Sequence, residues 1–242
     1  MIGYHKELKY IVDDRTLTDV RNRISGLMRP DEHQQGDHYK IRSLYFDSPA
    51  LKCYRENLAG ISTREKYRIR TYGCNPDELF AEVKIRHRET ISKISAQITE
   101  DFFASLLSDD KGSAMNLLSH AIEHSTNEAV GDEKRVLEKY FARYMIDHFK
   151  PVVIIDYERS AFVYDICDVR ITFDRNVFAS TDHTRMFDAN LTGRPALDDG
   201  MHILEIKYDE FLPDEIKKVL GGLRLNRCRS SKYVTCLNRF TG

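Results

Sequence analysis

Apolar and charged residues alternate along five segments: Lys66-Tyr67-Arg68-Ile69-Arg70, Glu82-Val83-Lys84-Ile85-Arg86, Tyr157-Glu158-Arg159, Arg170-Ile171-Thr172-Phe173-Asp174 and Glu205-Ile206-Lys207. A period of two is the mark of a strand, whose successive side chains point to opposite faces. Each segment therefore sends its charges to one side and Ile, Val or Phe to the other. An ordinary sheet leaves mixed polar residues to solvent. Here Arg, Lys and Glu recur strand after strand, which implies that these faces converge on something strongly anionic.

The rest of the chain supplies partners for these strands. Residues 4–12 set Glu7 and Lys9 against Leu8 and Tyr10, predicting a first strand that Asp13-Asp14 closes. Leu17, Val20, Ile24 and Leu27, spaced by three and four, predict an amphipathic helix over 17–27, capped by Thr16 or Thr18 and ended by Pro30. Residues 39–46 read as a strand. Asp47-Ser48-Pro49 then turns into a short helix through Tyr54 that Gly60 breaks. Segments 63–72 and 79–88, joined by Gly73-Cys74-Asn75-Pro76-Asp77, read as a hairpin, and 91–98 adds a strand.

Residues 108–131 turn polar and are expected to form a flexible insert within a single domain spanning 1–242. Val136, Leu137, Tyr140, Phe141, Tyr144 and Met145 make one stripe of a helix over 132–149. Segments 151–159, 166–173 and 202–208 predict three more strands, with a long loop over 181–200. Residues 213–220 read as a helix stopped by Gly221-Gly222, and 230–240 as a last short helix. The expected class is α+β, with about eight mostly antiparallel strands and interleaved helices.

Eight strands can close into a barrel whose lumen is filled or holds one ligand. With the charged parity outward, the apolar parity fills the lumen and the amphipathic helices have no apolar wall. With it inward, every helix stripe has a partner. Packing thus favours a charged lumen, although Lys66-x-Arg68-x-Arg70 taken alone also fits a solvated edge strand, and Glu205-x-Lys207 a cross-strand ion pair.

Composition narrows the partner. The 242 residues are 41% hydrophobic and include 12 Phe and 13 Tyr, enough for a sizeable core, while 31% are charged against a usual quarter or so. Lys plus Arg (37) and Asp plus Glu (38) cancel, so no overall field suits nucleic acid or an anionic membrane, and anion attraction must be local. Five scattered cysteines, with no close pair, argue against a zinc site and a disulfide framework. The opening Met1-Ile2-Gly3-Tyr4-His5-Lys6 lacks the apolar core of a secretion signal, and no window approaches a membrane span, so the expected location is cytoplasmic.

Guanidinium and ammonium groups packed within ~8 Å repel strongly when partly buried. Glu7, Glu82 and Glu205 offset part of this, and a polyanion such as triphosphate offsets more, since Arg can hold two phosphate oxygens at once. Carboxylates among such cations suggest Mg²⁺ or Mn²⁺, commonly bound through one or two carboxylates plus substrate phosphates. The chain contains no Walker-type loop, dinucleotide fingerprint, Gly-x-Ser-x-Gly elbow or His-Glu-x-x-His helix.

These segments together resemble the VTC domain, the polyphosphate polymerase module of the vacuolar transporter chaperone family, within the triphosphate tunnel (CYTH-like) superfamily. The likeness rests on Glu7-Leu8-Lys9-Tyr10, Ser43-Leu44-Tyr45-Phe46-Asp47, Lys66-Tyr67-Arg68-Ile69-Arg70-x-Tyr72-Gly73 and Glu82-Val83-Lys84. It continues through Tyr157-x-Arg159-x-Ala161-Phe162, Val169-Arg170-Ile171-Thr172-x-Asp174, Leu204-Glu205-Ile206-Lys207 and Ser230-Ser231-Lys232-Tyr233. The resemblance implies an eight-stranded tunnel with helices outside. In it, Lys9, Arg68, Arg70, Lys84, Arg159, Arg170 and Lys232 would hold a phosphate chain, with Lys66, Arg42, Arg86, Lys207, Tyr157 and Ser231 as further substrate contacts.

Glu205 would bind the metal, with Glu82 and Glu7 as further candidate ligands. The implied reaction transfers the γ-phosphoryl group of ATP to a growing inorganic polyphosphate; it needs no protein nucleophile. A triphosphate or polyphosphate hydrolase and a non-catalytic polyphosphate-binding module remain open. The chain has His5-x-Glu7-x-Lys9 where the wider superfamily has Glu-x-Glu-x-Lys, a departure that favours the polymerase branch. Fused membrane helices are absent from the sequence, so polymer export would require a separate membrane partner.

Overall fold

The computed structural model describes the chain except residues 1–4, 33, 35, 109–111, 113–115, 117–129, 224, 229, 230 and 242. Tyr4, Ser230 and nearly all of the insert expected at 108–131 therefore lie outside the described residues. The main strands are β1 (Lys6–Asp13), β3 (Tyr39–Asp47), β4 (Thr63–Tyr72), β5 (Leu79–His87), β6 (Thr90–Ile98), β7 (Lys150–Tyr164), β8 (Val169–Ser180) and β10 (Met201–Tyr208). Two-residue strands β2 (Arg29–Pro30) and β9 (Arg194–Pro195) attach to β7 and β8. The helices are α1 (Asp14–Ile24), α2 (Lys52–Leu58), α3 (Glu100–Leu107), α4 (Val130–Ile146), α5 (Asp214–Leu220) and α6 (Lys232–Thr241).

One antiparallel path runs β1-β10-β8-β7-β3-β4-β5-β6. The sheet curls until its ends meet, but the seam is not a full ladder. His5 and Ile91 exchange two backbone hydrogen bonds of 3.0 Å. Further along β1, the Cys228 N–H donates to the Lys9 carbonyl at 2.8 Å, so the segment before α6 covers that part of the β1 edge.

Parity separates the chemistry of the two faces. Tyr67 and Ile69 of β4, Ala81 and Val83 of β5, and Ile94, Ala96 and Ile98 of β6 pack outward against α3 and α4. Leu204 and Ile206 of β10, with Ile171 and Phe173 of β8, pack outward with Leu17, Val20 and Ile24 of α1 and Ile216 of α5. Burying each such aliphatic side chain contributes about 1.5–3 kcal/mol. The opposite parity, carrying the charges, faces the lumen, and the helices cover the apolar exterior.

Several boundaries differ from the pattern-based expectation. The α1 cap is Asp13, whose carboxylate accepts from the Thr16 N–H at 2.7 Å, rather than either threonine. Strands β7 and β8 run past 159 and 173. Helix α3, not foreseen, starts from Thr99, whose hydroxyl accepts from the Phe102 N–H at 3.2 Å. The loop over 181–200 contains a 3-10 turn, His183–Arg185, and β9.

Candidate functional site

The register assembles the lumen wall. On β1, β10 and β8, Glu7 lies opposite Lys207, which lies opposite Arg170; one step along, Lys9 lies opposite Glu205, which lies opposite Thr172. On the other half, Lys66 faces Lys84, Arg68 faces Glu82, and Arg70 faces Ser43. Arg159 pairs with Asp174 between β7 and β8.

Contacts then cross between strands that are not neighbours. Lys84 of β5 reaches Glu7 of β1 at 2.5 Å. Arg70 Nη2 of β4 donates to the Tyr157 hydroxyl of β7 at 3.3 Å. Lys66 donates to Ser231 Oγ at 2.8 Å, just before α6. Lys232, at the start of α6, is ion-paired with Asp174 and lies 4.9 Å from the centre of the Tyr157 ring. These links place the charged groups of both halves around one space.

Each carboxylate is shared among cations. Glu7 takes Lys84 and Lys9, the latter at 3.2 Å, and His5 Nε2 also lies 3.2 Å away. Glu205 takes Lys9 at 3.3 Å and Lys207 at 3.5 Å. Glu82 takes Lys93 at 2.6 Å, Arg68 at 2.7 Å and Arg70 at 3.8 Å. Asp174 takes Arg159 through two bonds of 2.7 and 2.8 Å, plus Lys232. The cations outnumber the carboxylates, so the lumen keeps a positive excess.

The titration behaviour follows from burial and this crowding. Burial opposes ionisation of Glu82, but Arg70, Arg68 and Lys93 hold it well below the usual carboxylate range. Glu205 is likewise low, because Lys9, Lys207 and Lys84 outweigh burial and the neighbouring Glu7. Lys9 is raised against its burial by Glu205 and Glu7. Lys66 goes the other way: burial, then Lys9, Lys84 and Arg64, push it well below an ordinary lysine against the pull of Glu7. It is a cation site short of anions.

Some expected residues are elsewhere. Arg42 lies on the outer parity of β3, because Ser43 and Tyr45 take the lumen side opposite Arg70 and Arg68. Fully buried, it binds Asp156 at 2.6 Å and donates to the carbonyls of Met186 and Asp188 at 2.9 and 2.7 Å. Arg42 therefore anchors the 185–188 loop and is not a substrate contact. Arg86 keeps the lumen parity but sits at the strand end, its Nε donating to the Arg88 carbonyl at 2.8 Å. Arg170 is at the mouth, held by Asp31 at 2.9 Å and the Tyr39 hydroxyl at 3.1 Å. Beside it opens a cavity of about 360 Å³, also lined by His5, Lys207 and Asp209.

The three candidate metal ligands do not gather. Among the described residues, no cluster of three or more His, Cys, Asp or Glu has metal-binding geometry. Both Glu82 oxygens are taken in hydrogen bonds, Oε2 by Arg68 and Oε1 by Lys93. Glu7 and Glu205 flank the shared Lys9, and Glu7 Oε2 is buried with no hydrogen bond, its contact being the 3.2 Å approach of Lys9. That pair fits a hard divalent cation completed by substrate phosphates; Glu82 does not.

Sequence reasoning missed Lys93, Tyr39 and Tyr45 as lumen groups, and gave Asp174, which it set on a charged strand face, no role in the site. Asp174 and Lys93 were visible in principle, since each continues the charged parity of its strand. The Tyr45 hydroxyl accepts from Arg68 Nη1 at 3.0 Å, and the Tyr45 ring stacks on Tyr233 of α6 with centroids 5.0 Å apart. Nothing in a tyrosine's identity announces such a role.

A VTC domain family model matches residues 4–241. The chain belongs to the VTC domain family. Among curated proteins none matches this VTC chain. Among solved structures, HpAC1 from Hippeastrum, described as a candidate adenylyl cyclase with a dominant triphosphatase activity, shares 12% identity at a TM-score of 0.52. The match covers 98% of this chain and 96% of that one. A candidate adenylate cyclase from Bacillus halodurans shares 13% identity at a TM-score of 0.52 over the whole of both chains. At these identities the likeness is one of fold, and the VTC chain has the triphosphate tunnel architecture. No helix among the described residues is long and apolar enough to cross a membrane.

Proposed function

We propose that this VTC chain is a polyphosphate polymerase that transfers the γ-phosphoryl group of ATP to an inorganic polyphosphate lying in the lumen. The observation that carries this reading is the cation-rich lumen, in which Lys9, Lys66, Arg68, Arg70, Lys84, Arg159 and Lys232 from both halves of the sheet surround one space. Such a lumen suits a ligand of dense, repeating negative charge and no side groups.

In the proposed reaction the terminal phosphate oxygen of the growing chain attacks the γ-phosphorus. The bond to the β-phosphate bridging oxygen breaks, and the nucleoside diphosphate leaves with that electron pair. The protein supplies position and charge. Arg68, Arg70 and Arg159, oriented by Glu82, Tyr157 and Asp174, direct their remaining guanidinium N–H groups at non-bridging oxygens, while Lys66 and Lys84 add compact charges. Preorganised cations aimed at developing charge lower the barrier without reorganising during the step. Glu7 and Glu205 are the residues suited to hold Mg²⁺ or Mn²⁺, which when bound supplies charge neutralisation at the phosphates. ATP supply favours a cytoplasmic site of action, with export of product by a separate membrane partner.

The test is incubation with ATP and Mn²⁺ followed by gel electrophoresis. Long phosphatase-sensitive chains are expected. Release of phosphate or pyrophosphate without chains would instead fit a hydrolase like the Hippeastrum protein. ATP left intact, with polyphosphate still bound, would fit a binding module.

A further inference from the structure

Thr172 has a hydroxyl with no partner in a place where partners are plentiful. Its residue is fully buried and its Oγ1 makes no hydrogen bond. The register puts it on the lumen face, opposite Glu205 on one side and Ala161 on the other. Its neighbours Ile171 and Phe173 pack outward in the apolar cluster under α1. Two residues earlier on the same face, Arg170 spends Nη2 on Asp31 and Tyr39, while its buried Nε also lacks a partner.

A buried hydroxyl left unpaired costs free energy, and Val matches Thr in shape without that cost. Orphan donors therefore mark a place where the empty protein is incomplete. Two residues apart on one strand face, the Cα atoms of Thr172 and Arg170 are separated by roughly 7 Å. A phosphate group, with oxygens on several sides, can accept from two donors that stand on one strand face two residues apart. Glu205, opposite Thr172 in register, is engaged by Lys9 and Lys207, and the Thr172 hydroxyl makes no hydrogen bond to it.

We infer that Thr172 is a phosphate-contact residue, donating its hydroxyl to a non-bridging oxygen of the lumen-bound polyphosphate while Arg170 Nε takes a second oxygen of the same phosphate. This rests on the reading of the lumen as a phosphate site. It assigns Thr172 to the mouth-side end of the site, next to the Glu7 and Glu205 pair. Binding satisfies both orphan donors at once.

The experiment is isothermal titration of the full chain with sodium tripolyphosphate, for wild type, Thr172→Val and Thr172→Ser, with thermal unfolding of each free protein. Thr172→Val is expected to weaken tripolyphosphate binding by about tenfold, and Thr172→Ser to stay within about twofold of wild type. The free Thr172→Val protein is expected to melt at or above the wild-type temperature, because it loses an unpaired hydroxyl. Wild-type affinity in Thr172→Val would overturn the inference, as would a melting point several degrees lower, which would reveal a structural partner. No binding by wild type would overturn the phosphate reading of the lumen itself, and this inference with it.

Discussion

Arg68 and Lys84 show how a single side chain can be assigned a role by its neighbours. Arg68 is held by Glu82 and the Tyr45 hydroxyl, Lys84 by Glu7, so each enters the lumen already oriented. Removing either deletes a charge-assisted contact of about 1.5–3 kcal/mol. Arg68→Ala and Lys84→Ala are each expected to lower polymer synthesis from ATP at least tenfold in a steady-state assay, and unchanged rates in both would contradict their inward role. Lys66 makes a different prediction. Burial and surrounding cations depress its pKa in the free protein, and a polyanion bound beside it is expected to raise it. Between those two pKa values the group is neutral when free and protonated when bound, so binding takes up protons there. Titrations in buffers of different ionisation enthalpy are expected to show greater uptake for wild type than for Lys66→Met, a comparison that cancels the ligand's own protons. Equal uptake would contradict it.

At the scale of elements, Asp47 joins three parts of the chain. Its carboxylate accepts from the N–H groups of Ser48, Cys53 and Tyr54 at the start of α2, and from the Tyr233 hydroxyl of α6 at 2.7 Å. The same end of α6 delivers Ser231 and Lys232 to the lumen. Asp47→Ala leaves several buried donors unpaired, at roughly 1–3 kcal/mol each. Urea unfolding is expected to show a loss of about 3 kcal/mol or more, together with weaker tripolyphosphate binding; a loss under about 1 kcal/mol would contradict this.

Alternation within one strand is legible because it is local, and it located β4, β5, β8 and β10 with their charged faces. The absolute parity of β3 was not, because Arg42, Ser43 and Tyr45 are all polar and only cross-strand register decides which faces inward. Arg42 was misassigned for that reason. The end of β7 escaped detection because its continuation, Ser160-Ala161-Phe162, is buried on both faces and shows no period. The surroundings of the three glutamates depend on register in the same way: sequence shows each of them near cations, but not that Arg68, Arg70 and Lys93 converge on Glu82.

For the whole molecule, a net charge of −1 together with a cationic lumen means that anion binding depends on fit and not on a long-range field. If the lumen takes polyphosphate as proposed, a linear phosphate chain is expected to enter between the strands, whereas a nucleic acid of equal phosphate number carries sugars and bases as well. A ligand that binds only the folded chain stabilises it by about 2.7 kcal/mol at a hundred times its Kd. Tripolyphosphate is therefore expected to raise the melting temperature, and a single-stranded oligonucleotide with as many phosphates to leave it unchanged. Equal shifts would point to surface charge. The most direct test of the central claim is a crystal structure of the protein soaked with tripolyphosphate. The account predicts phosphate density inside the sheet, between Arg68, Arg159 and Lys84; phosphate bound only on the outer surface would contradict it.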